Sequence, residues 1–153
     1  MTEAIVAPLK LRLQSEMKSA MKSGDKKRRD TIRLIMAALK QREVDERIDL
    51  DDQQIIAILD KMLKQRRESI TQYQAGGRDD LAVIEEDEIV VIQEFLPAAL
   101  SDQEIEQMVS DAMSESGAST VRDMGKVMAI LKPKMQGRAD MSQVSGQIKS
   151  RLS

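Results

Sequence analysis

The sequence predicts an all-α protein, with an N-terminal domain of about four helices followed by a small three-helix tail domain. Three observations lead to this prediction. Apolar residues recur at steps of three and four through most of the 153-residue chain, which is the period of an amphipathic helix. Seven Gly and three Pro are too few for many short strands and tight turns. Aromatic residues make up only 1% of the chain, so the core is aliphatic, with Met filling irregular gaps.

The first two helices are predicted to meet at a glycine. Pro8 suits the first turn of a helix because its missing N–H has no helical partner there in any case. Gly24 is suited to end that helix, and Asp25 is the expected N-cap of the next. The predicted apolar faces are Leu9, Leu13, Met17, Ala20 and Met21 in the first helix, and Ile32, Ile35, Met36 and Leu39 in the second.

The third and fourth helices have equally clear ends. Asp51 and Gln54 have the spacing of a capping box at the start of the third, which two consecutive glycines stop. The fourth starts near Asp79 and carries the β-branched run 89–92, which could form a short strand. Its flanks are helical and no partner strand is visible, so it is predicted to be helix. Pro97 ends it.

Residues 1–97 are therefore predicted to form the N-terminal domain, and 98–153 the tail. Ser101 and Glu104 fit a capping box at the start of the first tail helix, which Gly117 closes. The second tail helix is expected to be capped by Ser119 or Thr120 and to end at Pro133. The last helix is expected to start at about Ser142.

Composition excludes several kinds of chemistry. The chain has no Cys and no His, so disulfides, thiolate ligands and the commonest general base are absent. Four consecutive acids at 85–88 point in different directions on a helix and cannot converge on one ion. No apolar run approaches the roughly 18 residues of a membrane span, and the first residues lack the order of a secretory signal. We therefore expect a cytoplasmic protein without catalytic residues, cofactor, metal or membrane contact.

Charge is segregated along the chain although the net charge is only −2. Residues 9–47 hold twelve Lys/Arg and six Asp/Glu, whereas residues 81–120 hold ten acids and no Lys or Arg. Residues 121–153 hold seven basic residues and two acids. The blocks are either solvated helix faces or a basic surface that meets a polyanion.

Two groups of cations are candidates for binding phosphates. The first lies at the start of the second helix, where cations oppose the helix dipole. The second follows Gly125, whose place inside a helical stripe indicates the close approach of another helix or of a ligand backbone. Surface charges tolerated at little cost, and cations complementing a helix C-terminus, are the alternatives. The candidate RNA-binding residues are Lys26, Lys27, Arg28, Arg29 and Arg33, together with Lys126, Lys132, Lys134 and Arg138.

Five segments in the same order and spacing resemble the YqeY family. They are RLIMAALK at 33–40, KQRRESI at 64–70, GRDDLA at 77–82, Leu96–Pro97, and DMGKVM with KPKMQGRAD between 123 and 140. The part from about residue 98 is also similar to the tail domain of GatB, a subunit of the amidotransferase that acts on misacylated Glu-tRNA or Asp-tRNA. The shared tail signature falls on Met124, Gly125, Lys126, Met128, Gly137 and Asp140.

The resemblance implies an N-terminal helical domain and a helical tail that helps to engage tRNA. It also implies classification with carbon–nitrogen ligases that use glutamine as amido-N donor, although this chain carries nothing like their catalytic parts. The hypothesis we favour is a non-catalytic accessory protein that binds tRNA or other structured RNA, which requires the tail cations to share one surface. The alternatives are a protein–protein adaptor with Met-rich helical grooves and a component of an amidotransferase.

Overall fold

The computed structural model describes residues 7–153 and confirms the all-α prediction, with no strand in that range. The helices are α1 (Pro8–Ser23), α2 (Lys26–Glu46), α3 (Asp52–Ala75), α4 (Asp79–Glu94), α5 (Asp102–Ser116), α6 (Met124–Met135) and α7 (Met141–Leu152). A short 3₁₀ turn, Val121–Asp123, precedes α6. The chain divides into two compact units between Leu96 and Pro97. Across residues 7–153, no helix combines the length and apolarity that crossing a bilayer requires.

The first unit is a four-helix arrangement around an aliphatic core. The helix α3 packs chiefly against α4, and α1 against α2, while α2 also contacts α4 and α1 also contacts α3. The core takes one apolar stripe from each helix, and side chains at its centre are fully buried, including Leu13, Ile35, Leu59 and Ile92. The predicted stripes of the first two helices therefore point inward, except at Met21, which is 56% exposed near the end of α1.

Helix ends in this unit follow the local sequence signals. Gly24 ends α1 with a φ of +74°, a left-handed conformation that glycine adopts without a steric penalty. The Asp25 carboxylate accepts a hydrogen bond from the Arg28 N–H at 3.2 Å. At α3, Asp51 and Gln54 form the complete capping box. These ends need only near neighbours in sequence.

Phe95, which follows the last turn of α4, contacts arginines of α1 and α2. Phe95 is 2% exposed, and the guanidinium groups of Arg12 and Arg28 lie 5.0 and 5.9 Å from its ring centre. Arg12 Nη2 also donates to the Glu94 carbonyl at 2.8 Å. We call this group, Arg12, Arg28, Glu94 and Phe95, the Phe95 clamp. It satisfies a carbonyl that the end of a helix leaves without an intrahelical partner.

The loop between α2 and α3 is tied back to α1. The Lys10 ammonium is 2.8 Å from the Glu43 carboxylate, which also accepts a hydrogen bond from the Leu50 N–H at 3.2 Å. The hydrogen bond from Lys10, and to a smaller extent that from Leu50, lowers the pKa of Glu43. Burial of the carboxylate has the opposite effect.

The tail unit has its own core, supplied by α5, α6 and α7. Val109, Val127, Leu131, Met135 and Ile148 are at most 1% exposed. The helix α5 begins with the predicted capping box of Ser101 and Glu104 and ends at Gly117. The tail helices thus bury one another's apolar stripes, as their periodicity indicates.

The sixth helix differs from the prediction at both ends. It begins at Met124 rather than directly after Thr120, because a 3₁₀ turn intervenes, and it continues through Pro133 to Met135. A proline costs the helix one backbone hydrogen bond, but the pattern resumes when the Gln136 N–H donates to the Lys132 carbonyl at 3.0 Å. The fully buried Met135 side chain holds this last turn in place.

Candidate nucleic-acid interface

The cations at the start of α2 point in two directions. Arg28 turns inward, where it pairs with Glu16 at 3.0 Å and with Glu94. The Glu94 hydrogen bond, more than that of Glu16, raises the pKa of Arg28 above its ordinary value. The donors of Arg28 are therefore engaged within the Phe95 clamp, so its local role is to join α1, α2 and α4.

Lys27 and Arg29 are each paired with a single, exposed carboxylate. The Lys27 ammonium lies 3.6 Å from the Asp87 carboxylate on α4, and Arg29 lies 3.0 Å from the adjacent Asp30. Pairs of this exposed kind contribute only up to about 1 kcal/mol. Both cations can exchange these partners for a phosphate at small cost.

The remaining predicted cations of α2, Lys26 and Arg33, are exposed on the side facing away from the core. Seven residues beyond Arg33, the exposed Lys40 continues the same line. We call Lys26, Arg33 and Lys40 the α2 cationic stripe. Within residues 7–153 none of the three makes an ion pair. Seven residues are about two helical turns, or roughly 10.5 Å, so the stripe spans about 21 Å.

Sequence reasoning missed Lys40, although the signal was available. The recurrence of a cation every seven residues, at 26, 33 and 40, keeps one side of a helix. The prediction weighted the dense run at 26–29 instead. Density is a poor guide because consecutive side chains point about 100° apart.

The predicted cations of the tail do not form one patch. Lys132 and Lys134 are exposed on either side of Pro133, and residues two apart on a helix point about 200° from each other. Lys126 is separated from Lys134 by about 80° around the axis and about 12 Å along it. Of the three predicted tail lysines, 126 and 134 are therefore the nearest to each other around α6, and Lys132 lies apart from both.

Arg138 has a structural contact of its own. Its Nε donates to the Ala98 carbonyl at 3.2 Å, and its backbone carbonyl accepts from the Leu100 N–H at 2.8 Å. These bonds fasten the segment before α5 to the turn between α6 and α7. The guanidinium is only partly exposed, so it is less open to a phosphate than the lysines of α6.

Lys126 lies beside the turn that starts α6. Asp123 accepts hydrogen bonds from the Ser119 and Thr120 N–H groups at 2.9 and 3.2 Å. These bonds, and then the Lys126 ammonium 3.8 Å away, lower the pKa of Asp123. Lys126 itself remains 71% exposed and is available for a further contact.

The shared tail signature has mainly structural roles in this fold. Met124 and Met128 pack against the tail core. Gly137 has a φ of +78° in the turn after α6. The Asp140 side chain caps α7 by accepting from the Ser142 N–H at 3.0 Å.

Gly125 does not have the close neighbour that its position indicates. A Cβ placed there would meet no described atom within 4 Å. The residue is exposed near the start of α6, so within residues 7–153 no helix approaches it. Its expected role in close approach stays a prediction that involves an external partner.

The acidic run on α4 is dispersed by the helix. Glu88 forms an ion pair with Arg66 at 2.8 Å, whereas Asp87 faces Lys27. Burial, and then the charge of Glu88, raises the pKa of Glu85. Among the described residues, no group of three or more His, Cys, Asp or Glu is placed to hold a metal ion.

The chain matches a known protein family over nearly its whole length. Residues 10–152 match the family model described as "Yqey-like protein". The chain belongs to the YqeY family. This confirms the resemblance drawn from the five sequence segments.

Several similar proteins come from fungi and are named "Altered inheritance of mitochondria protein 41, mitochondrial". The protein of Vanderwaltozyma polyspora is 30% identical over 130 residues, which cover 80% of this chain and 70% of the relative. The protein of Pyrenophora tritici-repentis is 30% identical over 153 residues, which cover 95% of this chain and 80% of the relative. The protein of Eremothecium gossypii is 37% identical over 101 residues, which cover 65% of this chain and 55% of the relative. The matched region thus spans little more than half of some relatives.

The predicted cytoplasmic location is wrong. The similar proteins are named as mitochondrial, which points away from the cytoplasm. The prediction used composition and the lack of an apolar leader, and neither property distinguishes the cytoplasm from the interior of an organelle.

Proposed function

We propose that this member of the YqeY family is an accessory protein that binds the sugar–phosphate backbone of tRNA or another structured RNA. The four predicted tail cations do not share one surface, so the condition set by the sequence is not met there and the proposal rests instead on the α2 cationic stripe. In that stripe, Lys26, Arg33 and Lys40 are exposed, lie on one side of a helix and have no ion pair within residues 7–153.

The spacing of the stripe suits a polyanion. Neighbouring cations are about 10.5 Å apart, which exceeds the Debye length of about 8 Å at physiological ionic strength. Their mutual repulsion is therefore largely screened in the free protein. A phosphate that contacts one of them directly is screened much less and releases condensed counterions. Lys18 and Lys22 are also exposed, on the neighbouring α1, and add to the positive field.

The aromatic content favours recognition of the backbone and of shape. Single-strand readers stack bases on aromatic side chains. Here Phe95 is buried in its clamp and Tyr73 is partly buried. Phosphate contacts fix position and register on RNA without reading sequence.

The tail supplies a second contact region in this proposal. Lys126 and Lys134 are the nearest to each other of the predicted lysines around α6, and the similarity of the tail to the tRNA-engaging tail of GatB supports tRNA as the ligand. Lys132 and Arg138 contribute less, because one points away and the other holds the segment before α5.

The test is a titration of labelled tRNA at about 50 and 200 mM salt. Replacing the stripe by glutamine (Lys26→Gln, Arg33→Gln and Lys40→Gln together) should weaken binding at least tenfold at the lower salt. It should also reduce the slope of log K against log salt by about 2 to 3, because each lost phosphate contact removes roughly 0.7 to 0.9 from it.

A matched control removes three exposed cations from α3 instead. The variant Lys61→Gln, Lys64→Gln and Arg67→Gln has the same net charge as the stripe variant, and all three positions are exposed. Binding by this control should stay within about threefold of the wild type, since only long-range attraction is lost. Equal losses of RNA affinity in the two variants would show that net charge alone explains the effect, which would contradict the proposal. An affinity that does not change with salt would contradict it as well.

A further inference from the structure

An apolar groove runs between α2 and α4, on a different side of α2 from the cationic stripe. It has a volume of about 220 Å³, and Leu34, Ile84 and Val91 line it with the partly apolar Thr31. Leu34 follows Arg33 directly, which places the two side chains about 100° apart around the helix. The groove contains no Met, unlike the Met-rich grooves that the sequence suggested for an adaptor.

Several apolar side chains in and beside this groove are exposed. Leu34 is 47% and Ile84 is 54% exposed, and on the outer side of α4, Val83 and Val90 are 51% and 60% exposed. A single exposed apolar residue is ordinary, but a group of them around a depression marks an interaction site. Val and Ile are also weaker helix formers than Leu or Ala. Because these side chains are exposed, packing in the core does not offset their lower helix propensity.

The charges around the groove select the kind of partner. Three carboxylates, Asp30, Asp87 and Glu88, line it with one ammonium, Lys27. The whole of α4 carries seven acids and no Lys or Arg. Asp30 and Glu88 are paired with Arg29 and Arg66, so the surplus of carboxylates lies along α4 rather than on the rim itself. An acidic helix beside an apolar floor complements an amphipathic helix with a cationic flank.

We infer that the groove between α2 and α4 binds an amphipathic, Lys/Arg-bearing helix of a partner protein. The apolar face of that helix contacts Leu34 and Ile84, with Val83 and Val90 at its edge. Its cations replace Lys27 in the ion pair with Asp87, which is 3.6 Å long and highly exposed. The inference goes beyond RNA binding and uses a separate surface.

The probe is a labelled designed 15-residue peptide with Leu at helical spacing and Lys on the flanks. A second peptide carries Glu in place of every Lys. Fluorescence anisotropy should give tighter binding of the Lys peptide. Leu34→Gln or Ile84→Gln should weaken it about five- to tenfold, as expected for a central apolar contact. Asp87→Lys should weaken the Lys peptide and strengthen the Glu peptide.

Val44→Gln is the matched control, because Val44 is 64% exposed near the far end of α2 and does not line the groove. It should leave peptide binding within about twofold of the wild type, since surface changes away from a contact have little effect. A loss equal to that of Ile84→Gln, or equal affinity for the two peptides, would overturn the inference.

The two proposed surfaces can fail separately. The stripe variant should lose tRNA binding and keep the Lys peptide, while Ile84→Gln should do the reverse. Loss of peptide binding in the stripe variant, with the fold intact by circular dichroism, would contradict a separate groove.

Discussion

The helices α2 and α6 both carry several closely spaced cations, but the fold treats them differently. In α2, Lys26, Arg33 and Lys40 fall on one side because seven residues make about two turns. In α6, Lys132 and Lys134 are two residues apart and point to different sides. The comparison teaches that the angle between side chains, rather than their number or closeness in sequence, decides whether cations form a surface.

A second contrast lies within α2 itself. Arg28 is bound by Glu16, Glu94 and the Phe95 ring, whereas Arg33 has no ion pair in residues 7–153 and points outward. One arginine joins three helices, and the other is exposed to solvent. This division between structural and exposed groups has consequences that stability measurements can detect.

The largest effect is expected at Arg28. Arg28→Met should lower the free energy of unfolding of the first unit by about 1 to 2 kcal/mol, because it removes charge-assisted hydrogen bonds to two carboxylates. Arg33→Met should change it by less than about 0.5 kcal/mol, as at an ordinary surface site. Urea unfolding followed by the fluorescence of Tyr73, the single Tyr of the chain, reports this unit. Equal destabilisation by the two variants would remove the contrast.

The next effect concerns the glycines of the tail. Gly125→Ala should raise the free energy of unfolding by up to about 1 kcal/mol, because alanine is the better helix former and a Cβ there meets no described atom within 4 Å. Gly137→Ala should lower it by about 1 kcal/mol, because its φ of +78° disfavours a side chain. Scanning calorimetry measures both. Destabilisation by Gly125→Ala would show that α6 needs glycine for its own packing.

The smallest effect is a dependence on pH. Lys10 lowers the pKa of Glu43, so this pair stabilises the fold above the ordinary pKa of a glutamate. That contribution is lost as the pH falls through the lowered value. Unfolding in urea at pH 6 and pH 3 should therefore show a smaller acid-induced loss for Glu43→Gln than for the wild type, by up to about 1 kcal/mol. An unchanged loss would assign the acid sensitivity to other carboxylates.

The helices and most of their ends could be predicted because their determinants are local. Asp51 with Gln54, and Ser101 with Glu104, are three residues apart and form their capping boxes without help from the rest of the fold. The start of α6 was harder to place, since a 3₁₀ turn and the path through Pro133 depend on tail packing.

The candidate sites were less predictable for a physical reason. One of the two carboxylate partners of Arg28, Glu94, is 66 residues away in sequence, and the partner of Arg138 is 40 residues away. No local pattern shows which cation will find such a partner. Helical phase identifies the outward side of α2, but only the packed structure shows that α4 leaves Leu34 and Ile84 uncovered.

The Phe95 clamp also bears on how the protein is made. The hydrogen bond from Arg12 to the Glu94 carbonyl spans 82 positions of the chain, so nearly the whole first unit lies within one closed loop. On a ribosome, which delivers the amino end first, α1 can pack against α2 and α3 as they emerge, but its bond to the Glu94 carbonyl forms only after α4 has left the exit tunnel. If synthesis stalled before that point, the nascent chain would lack the end of α4, and part of the apolar face of α1 would remain exposed to solvent.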